Sequence, residues 1–237
     1  MVKKKAQGFA YFRQWLWVSV LSGAFCLLTR YREAGYLPLV TLFEITFFYA
    51  LMITVLYALF VKERFSRFIQ ASALLIIYGI LAWNMFMDKN IYPLNPLLDS
   101  FWLGIHVPAA ILSYGAFSLS FAVSLYYLFA EKKKTWAVKG VSDLNSRLIT
   151  GGVVLLGVCI ITGAVWAKSA WGSYWTWDPK ETWALITFII YGAALLMRHA
   201  FRLNPKLEAV VSVSGFLAML FTFFGVGLFL SSHHAYR

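Results

Sequence analysis

The stretch Trp171–Trp183, WGSYWTWDPKETW, decides the interpretation of the chain because it holds four tryptophans and a tyrosine in thirteen residues. Apolar segments lie on both sides of it. Tryptophan and tyrosine favour membrane interfaces, so an aromatic belt is one explanation. A belt accounts well for tryptophans elsewhere in the chain such as Trp166, but less well for four indoles in one loop with few aliphatic neighbours. The stretch also fits a solvent-facing shelf between two membrane helices that holds a large flat aromatic ligand.

The end of this stretch predicts the start of a helix. Asp178 is a typical N-cap, Pro179 suits the first helical position, and Glu181 suits the third. We therefore expect Asp178 and Glu181 to be capping residues rather than a catalytic carboxylate pair. The positive end of the helix would point at the loop and favour a ligand that carries a carboxylate. Lys180 could assist in binding it.

Composition predicts the fold class. The chain has 237 residues, of which 61% are hydrophobic and 13% charged, and its mean hydropathy is +0.70. A soluble domain of this size could not bury so much apolar surface, so we predict an all-α, polytopic transmembrane bundle with one domain over residues 1–237. The net charge of +11 does not indicate nucleic-acid binding, because the basic residues flank apolar runs. Cys26 and Cys159 form no CxxC motif, which argues against a thiol oxidoreductase or a zinc site.

About seven segments are long and apolar enough to be membrane spans. They are Trp15–Thr29, Leu39–Val61, Phe68–Met87, Phe101–Ala130, Leu148–Ala167, Trp183–Phe201 and Ala209–Leu230. Of the 21 lysines and arginines, 15 fall on one side of this arrangement and 6 on the other. The positive-inside rule then predicts a cytoplasmic N-terminus and an external C-terminus. The tryptophan loop, His106 and His234 would all lie at the outer face.

Two histidines are candidate iron ligands. A single histidine near a membrane interface is usually structural, but small residues surround both of these at helical spacing. They are Ala109, Ala110 and Ser113 around His106, and Gly227 and Ser231 around His234. A macrocycle needs such clearance to bring its iron to an imidazole. Two histidines from different helices, beside an aromatic shelf, indicate bis-histidine haem ligation.

Three other polar residues lie in or near the predicted spans. Glu44 lies within the second predicted span, where a carboxylate is costly and is a functional candidate, although a polar contact to a neighbouring helix would also explain it. His233 cannot share the helix face of His234. His199 follows Arg198 near the predicted inner end of the sixth span, where a solvated role is expected.

Four ordered segments of the chain resemble the CcsA (ResC) type of cytochrome c assembly protein, in the wider haem-handling superfamily with a tryptophan-rich loop. The resemblance covers roughly residues 38 to 236. Its segments are TLFEITFF with Glu44, LNPLLDSFWLGIHVPAAILSYGAF with His106, SDLNSR through GAVWAKSAWGSYWTWDPKETWALI, and FGVGLFLSSHHAY with His234. Alignment through FGV and the following tyrosine selects His234 over His233.

The resemblance implies attachment of haem to apocytochrome c on the outer side of an energy-transducing membrane. Haem b would be held at an external site and presented to the two thiols of a CxxCH motif, with a CcsB (ResB) type membrane subunit as partner. The chain would supply positioning and no nucleophile of its own. The predicted haem-binding residues are His106 and His234 as iron ligands, with Trp171, Tyr174, Trp175, Trp177, Asp178, Trp183 and Glu44.

One position departs from the family pattern. Family members usually carry a histidine thirteen residues after the last tryptophan of the loop, and Leu196 stands there in this chain. Either His199 substitutes in a shifted register, or the inner haem-entry site is weakened or absent. The external site does not depend on this choice, but transport of haem from the cytoplasm does.

Several alternatives remain open from the sequence. The chain could act as a haem lyase component, as a haem transporter or chaperone without lyase activity, or as a non-catalytic assembly scaffold. A quinone oxidoreductase fits less well, since no second cofactor motif offers an electron path. A bacterial inner membrane, with the functional face outside, is preferred to a thylakoid.

Overall fold

The structure, a computed structural model, describes residues 2–62, 65–130, 136–201 and 204–230. All regular secondary structure in these ranges is helical, which confirms the predicted all-α class. The chain divides into two compact units, Met1–Pro93 and Leu94–Arg237. The single domain predicted over residues 1–237 stays a prediction.

The first unit has three helices: α1 (Val2–Ala34), α2 (Leu42–Phe60) and α3 (Arg67–Asn84). Helix α2 packs against both of the others. Its core face recurs every four residues, which places the side chains in one row along the helix. The row consists of Ile45, Tyr49, Ile53 and Tyr57, all buried. At Gly23 of α1 an added Cβ would lie 2.8 Å from Leu51 Cδ1, so glycine permits the close approach of α1 to α2.

The second unit is built around helix α4. Its helices are α4 (Phe101–Ala130), α5 (Trp136–Trp171), α6 (Pro179–Phe201) and α7 (Pro205–Leu220), followed by a π-helical turn Phe221–Gly225 and a last turn α8 (Val226–Phe229). A short 3₁₀ turn, Pro96–Leu98, precedes α4. Helix α4 packs against α5 and α7, while α6 packs against α5 and α7. Residues 113 to 120 of α4 are all buried, so this helix is the centre of the unit.

Six helical segments within the described residues are long and apolar enough to cross a membrane. They are Leu42–Phe60, Arg67–Asn84, Phe101–Phe129, Gly140–Trp171, Pro179–Arg198 and Lys206–Phe229. This confirms a polytopic helical membrane protein. Helix α1 includes the first predicted span, Trp15–Thr29, but is not among the six, so that span stays a prediction. The orientation of the termini also stays a prediction.

Helices α4 and α5 are joined by hydrogen bonds spaced seven residues apart along each helix. Three pairs form this α4–α5 ladder: His106 with the Cys159 carbonyl (2.8 Å), Ser113 with the Gly152 carbonyl (2.8 Å), and Ser120 with the Asn145 side chain (2.7 Å). A seven-residue repeat is two helical turns and keeps one face of each antiparallel helix against the other. Small and hydroxyl residues at such an interface allow close approach and interhelical bonds in a membrane. The ladder fixes the register that places His106.

A buried polar network joins the helices of the second unit at the far end of the ladder. Ser146 donates to Glu208 Oε1 at 2.9 Å, and Arg198 forms an ion pair with Glu208. Arg198 also donates to Ser142 at 3.0 Å. Through these contacts the Glu208 network connects α5, α6 and α7, and buried charge is paired as its desolvation requires.

Candidate functional site

The tryptophan loop leaves α5 through a glycine in the left-handed conformation. Gly172 has φ of +80°, and its amide donates to the Lys168 carbonyl at 3.1 Å. Lys168 Nζ donates to the Gly172 carbonyl at 2.8 Å and lies 5.5 Å from the centre of the Tyr174 ring. Glycine is the usual residue at such a helix end because it lacks a Cβ. The exit direction of the loop is therefore fixed locally.

The loop enters α6 through the predicted helix cap. Asp178 Oδ1 accepts from the Lys180 amide at 2.9 Å, and Glu181 Oε2 accepts from the Asp178 amide at 3.3 Å. Helix α6 begins at Pro179, which confirms all three predicted positions. Glu181 Oε2 also accepts from the Thr176 amide at 2.9 Å. Asp178 is buried, and both carboxylates hold the backbone of the loop in place.

Two aromatic side chains of the loop face outward. Trp177 is 70% exposed and Tyr174 is 57% exposed. Trp177 has φ of +60°, a conformation that costs a residue with a Cβ about 1–2 kcal/mol. Its ring lies 5.7 Å from that of Trp175, nearly perpendicular to it. The capping bonds hold this strained backbone and keep the Trp177 indole at the surface, where a flat ligand could contact it.

The predicted tryptophans do not form one continuous surface. Trp171 packs edge-on against Trp166 at 4.9 Å, whereas Trp183 packs against Phe221 of the π-helical turn at 4.5 Å. Trp183 therefore ties the first turn of α6 to the end of α7. Trp175 Nε1 is buried and has no hydrogen-bond partner among the described residues, although a donor of this kind is normally paired.

His106 lies against α5 next to the start of the loop. Its Nδ1 is 2.8 Å from the Cys159 carbonyl oxygen, and its ring lies 6.4 Å from Trp166 with 24° between the planes. Trp166 is 4% exposed, and its Nε1 donates to the Leu97 carbonyl at 3.0 Å. A continuous series of rings therefore runs from His106 through Trp166 to Trp171. Sequence reasoning assigned Trp166 to the aromatic belt and missed its place between the histidine and the loop.

The small face beside His106 is largely packed against other helices. Ala109 and Ser113 are buried, and Ser113 belongs to the α4–α5 ladder, while Ala110 is half-buried. His234, His233 and Ser231 lie outside the described residues. The side chain of His199 also lies outside them. Ligation by His234 therefore stays a prediction.

Leu196, at the position where the family usually carries a histidine, is 63% exposed. An open cavity of about 410 Å³ lies elsewhere in the second unit, and Asp143, Ser146, Arg147, Thr150 and Arg198 line it. Arg198 at this cavity is engaged by Glu208. None of the predicted haem-binding residues that the structure describes lines it.

Glu44 lies in the first unit, where it caps α2. Its Oε2 accepts from the amides of Val40 and Thr41, both at 2.9 Å, and its Oε1 pairs with Arg30 Nε at 2.5 Å. The polar contact to a neighbouring helix that could explain this carboxylate is thus present. Burial, together with the nearby Glu44 carboxylate, raises the pKa of Tyr36. Direct contact of Glu44 with haem stays a prediction.

Replacing Glu44 by glutamine is expected to lower the free energy of unfolding by about 2 kcal/mol, because charge-assisted hydrogen bonds contribute on that scale. Thermal denaturation in detergent measures it. The matched control, Glu33→Gln, changes an exposed carboxylate of α1 and should cost less than about 0.5 kcal/mol. Unchanged stability of Glu44→Gln, with altered haem binding, would instead favour a ligand-binding role for Glu44.

Comparison with known proteins assigns the chain to a family. Residues 39–234 match the family described as Cytochrome C assembly protein. The chain is 33% identical over 233 residues to the cytochrome c biogenesis protein CcsA of Chlamydomonas reinhardtii, covering 92% of this chain and 66% of that protein. It is 31% identical to CcsA of Pyropia yezoensis, and the match covers 89% of this chain and 82% of that protein. It is 29% identical to CcsA of Synechocystis, and the match covers 93% of this chain and 84% of that protein.

The match spans the helices that carry Glu44 and His106 and the whole tryptophan loop. The chain spans just under two thirds of the length of the Chlamydomonas relative. The matched residues, the six apolar helical segments and the identity to these relatives lead to one assignment. The chain belongs to the family of cytochrome c assembly proteins and is of the CcsA type.

Proposed function

We propose that this protein binds haem b as a substrate at an external site and presents it for attachment to apocytochrome c. The observation that carries the proposal is the position of His106, bonded through Nδ1 to a backbone carbonyl and followed by Trp166 and Trp171 at the start of the tryptophan loop. An imidazole beside a series of indoles suits a ligand that combines an iron atom with a flat aromatic ring.

The bond to Cys159 makes His106 chemically suitable as an iron ligand. A carbonyl oxygen only accepts, so in the neutral imidazole Nδ1 carries the proton and Nε2 carries the lone pair. Ligating histidines almost always donate their other ring N–H in this way. In the proposal, Nε2 of His106 and the imidazole of His234 would hold the haem iron.

The loop supplies the remaining contacts. The exposed rings of Trp177 and Tyr174 offer planes for the porphyrin. The proposal keeps Trp171, Trp175 and Trp183 as further haem-binding residues. In the proposal, the positive end of the α6 dipole and the Lys180 side chain would favour the carboxylate of a haem propionate. The buried indole N–H of Trp175 has no hydrogen-bond partner among the described residues, so a polar group of a bound ligand would satisfy it.

The reaction needs positioning more than chemical catalysis. Each thiol of a CxxCH motif adds across one haem vinyl group: the S–H bond and the vinyl double bond are lost, and an S–C bond and a C–H bond form. No atom leaves and no net oxidation occurs. Holding the vinyl carbons against the thiols supplies the rate advantage of an intramolecular reaction. A CcsB (ResB) type membrane subunit is the proposed partner, and the proposed location is the external face of a bacterial inner membrane.

An optical spectrum of the detergent-purified protein tests the proposal. We expect a haem b spectrum of the low-spin, bis-histidine type. Adding a CxxCH peptide and the partner subunit should yield covalent product, which a transporter or chaperone would not form. A protein that takes up no haem after supplementation would contradict the proposal and favour an assembly scaffold.

A further inference from the structure

Gly163 of α5 supports the ring of His106. A Cβ built on Gly163 would lie 2.6 Å from His106 Nδ1 and 2.7 Å from its Cε1, closer than real Cβ contacts occur. The imidazole therefore lies directly on the helix backbone at this residue. Any side chain at position 163 would displace the ring from the place it occupies.

The same glycine exposes the carbonyl that the histidine uses. In an α-helix the amide of residue 163 bonds the carbonyl of residue 159, so a side chain at 163 stands beside that oxygen. With no side chain there, the Cys159 oxygen also accepts from His106 Nδ1 at 2.8 Å. The Cys159 thiol, whose Sγ lies 3.5 Å from Nδ1, is a poorer partner because sulfur is a weak acceptor.

We propose that Gly163 is a positioning residue for His106: it lets the ring reach the Cys159 carbonyl, which keeps the proton on Nδ1 and the lone pair on Nε2. This inference rests on the proposed function, because Nε2 of His106 is the proposed iron ligand. The bond also fixes the ring plane beside Trp166, and partners of this kind raise the basicity of a ligating imidazole.

A second glycine of α5 makes a contact of the same kind at the next pair of the ladder, where its carbonyl accepts from Ser113. A Cβ on Gly152 would lie 2.4 Å from Phe117 Cε1. Phe117 follows His106 by eleven residues and Gly152 precedes Gly163 by eleven, so the two contacts are equivalent and about three turns apart. Gly152→Ala therefore crowds the ladder at its second pair without a contact to the histidine, so it separates a general disturbance of α4–α5 packing from loss of the His106 bond. At Gly151 a Cβ would meet nothing within 4 Å, so Gly151→Ala provides a neutral control.

The first test is haem-independent and reads the tautomer directly. The chain has four histidines, so ¹⁵N-histidine labelling of the haem-free protein gives few signals, and His106→Gln assigns the one of interest. We expect the Nδ1–H tautomer in wild type, Gly151→Ala, Gly152→Ala and Cys159→Ala, and its loss in Gly163→Ala. An Nε2–H tautomer in wild type would overturn the proposal, whether or not Gly163→Ala folds. An unchanged Nδ1–H signal of His106 in Gly163→Ala would also overturn the proposal. Loss of that signal in Cys159→Ala would overturn it too.

The second test measures haem affinity by optical titration. Gly163→Ala is expected to bind haem about 10–100-fold more weakly than wild type, the usual effect of losing a partner of a ligating histidine. Gly152→Ala should bind within a few-fold of wild type. Equal affinity of Gly163→Ala and wild type would overturn the inference and leave the proposed function standing. If wild type bound no haem, the proposed function would fail, and the tautomer measurement would still decide the role of Gly163.

Discussion

Replacing His106 by glycine is expected to abolish the low-spin haem spectrum and to reduce covalent cytochrome product at least about 100-fold, since a misplacement of about 1 Å already costs that much. The ring removed is the proposed iron ligand, and it ends the series of rings that leads through Trp166 to the loop. Glycine leaves a space the size of the lost side chain. Millimolar imidazole should enter that space and restore the low-spin spectrum.

Restoration of the low-spin spectrum by imidazole distinguishes iron ligation by His106 from a purely structural role of this residue. His106 is also the first pair of the α4–α5 ladder, and losing that hydrogen bond costs about 1 kcal/mol. Free imidazole restores an iron ligand but cannot restore the covalent connection to α4. His199→Gly, near the end of α6, is the matched control and should keep the wild-type spectrum. A His106→Gly protein with an unchanged low-spin spectrum would exclude His106 as the ligand, and His234→Gly examines the second proposed ligand in the same way.

Features of the site that depend on neighbouring residues were predictable from the sequence. The cap of α6 is one example, because Asp178, Pro179 and Glu181 make their decisive contacts within a few positions of one another. The fourth span is another: α4 runs from Phe101 to Ala130 as predicted. The apolar run of the sequence from Phe101 to Ala130, which stops at Glu131, predicted these ends.

Contacts between distant residues were not predictable in this way. The bond from His106 to Cys159 crosses 53 positions, and Trp166 reaches Leu97 across 69. Trp166 was assigned to an aromatic belt because composition says only that indoles favour interfaces. The seven-residue spacing of the ladder was a usable signal, since His106, Ser113 and Ser120 share it along α4.

The division of the tryptophan loop has a physical reason too. In sequence the four indoles appear equivalent, but α6 begins at Pro179, so Trp183 lies within the helix, about one turn beyond its start, and not in the loop. Trp183 then packs on Phe221 of the π-helical turn. Turns of this kind are frequent at functional sites and change the direction of the residues that follow. Here the turn is five residues before the end of the described chain, on the way to His234.

Replacing Glu208 by alanine is expected to lower the free energy of unfolding by about 3–5 kcal/mol, the usual cost of removing one partner of a buried ion pair. Glu208 is 5% exposed, and it pairs with Arg198 while accepting from Ser146 at 2.9 Å. Without the carboxylate the guanidinium would lose its buried partner. Denaturation of the purified protein in mixed micelles measures the loss.

Two controls identify the cause of that loss. Asp143 also lies near Arg198, at 3.5 Å, but its side chain is 55% exposed, so Asp143→Asn should cost less than about 1 kcal/mol. The double variant Arg198→Met, Glu208→Met should recover much of the stability lost in Glu208→Ala, because an apolar pair needs no charge compensation in lipid. A cost below about 1 kcal/mol for Glu208→Ala would mean that the network contributes little to holding α5, α6 and α7 together. The ladder alone would then have to keep α5 in the register that sets His106 against Gly163.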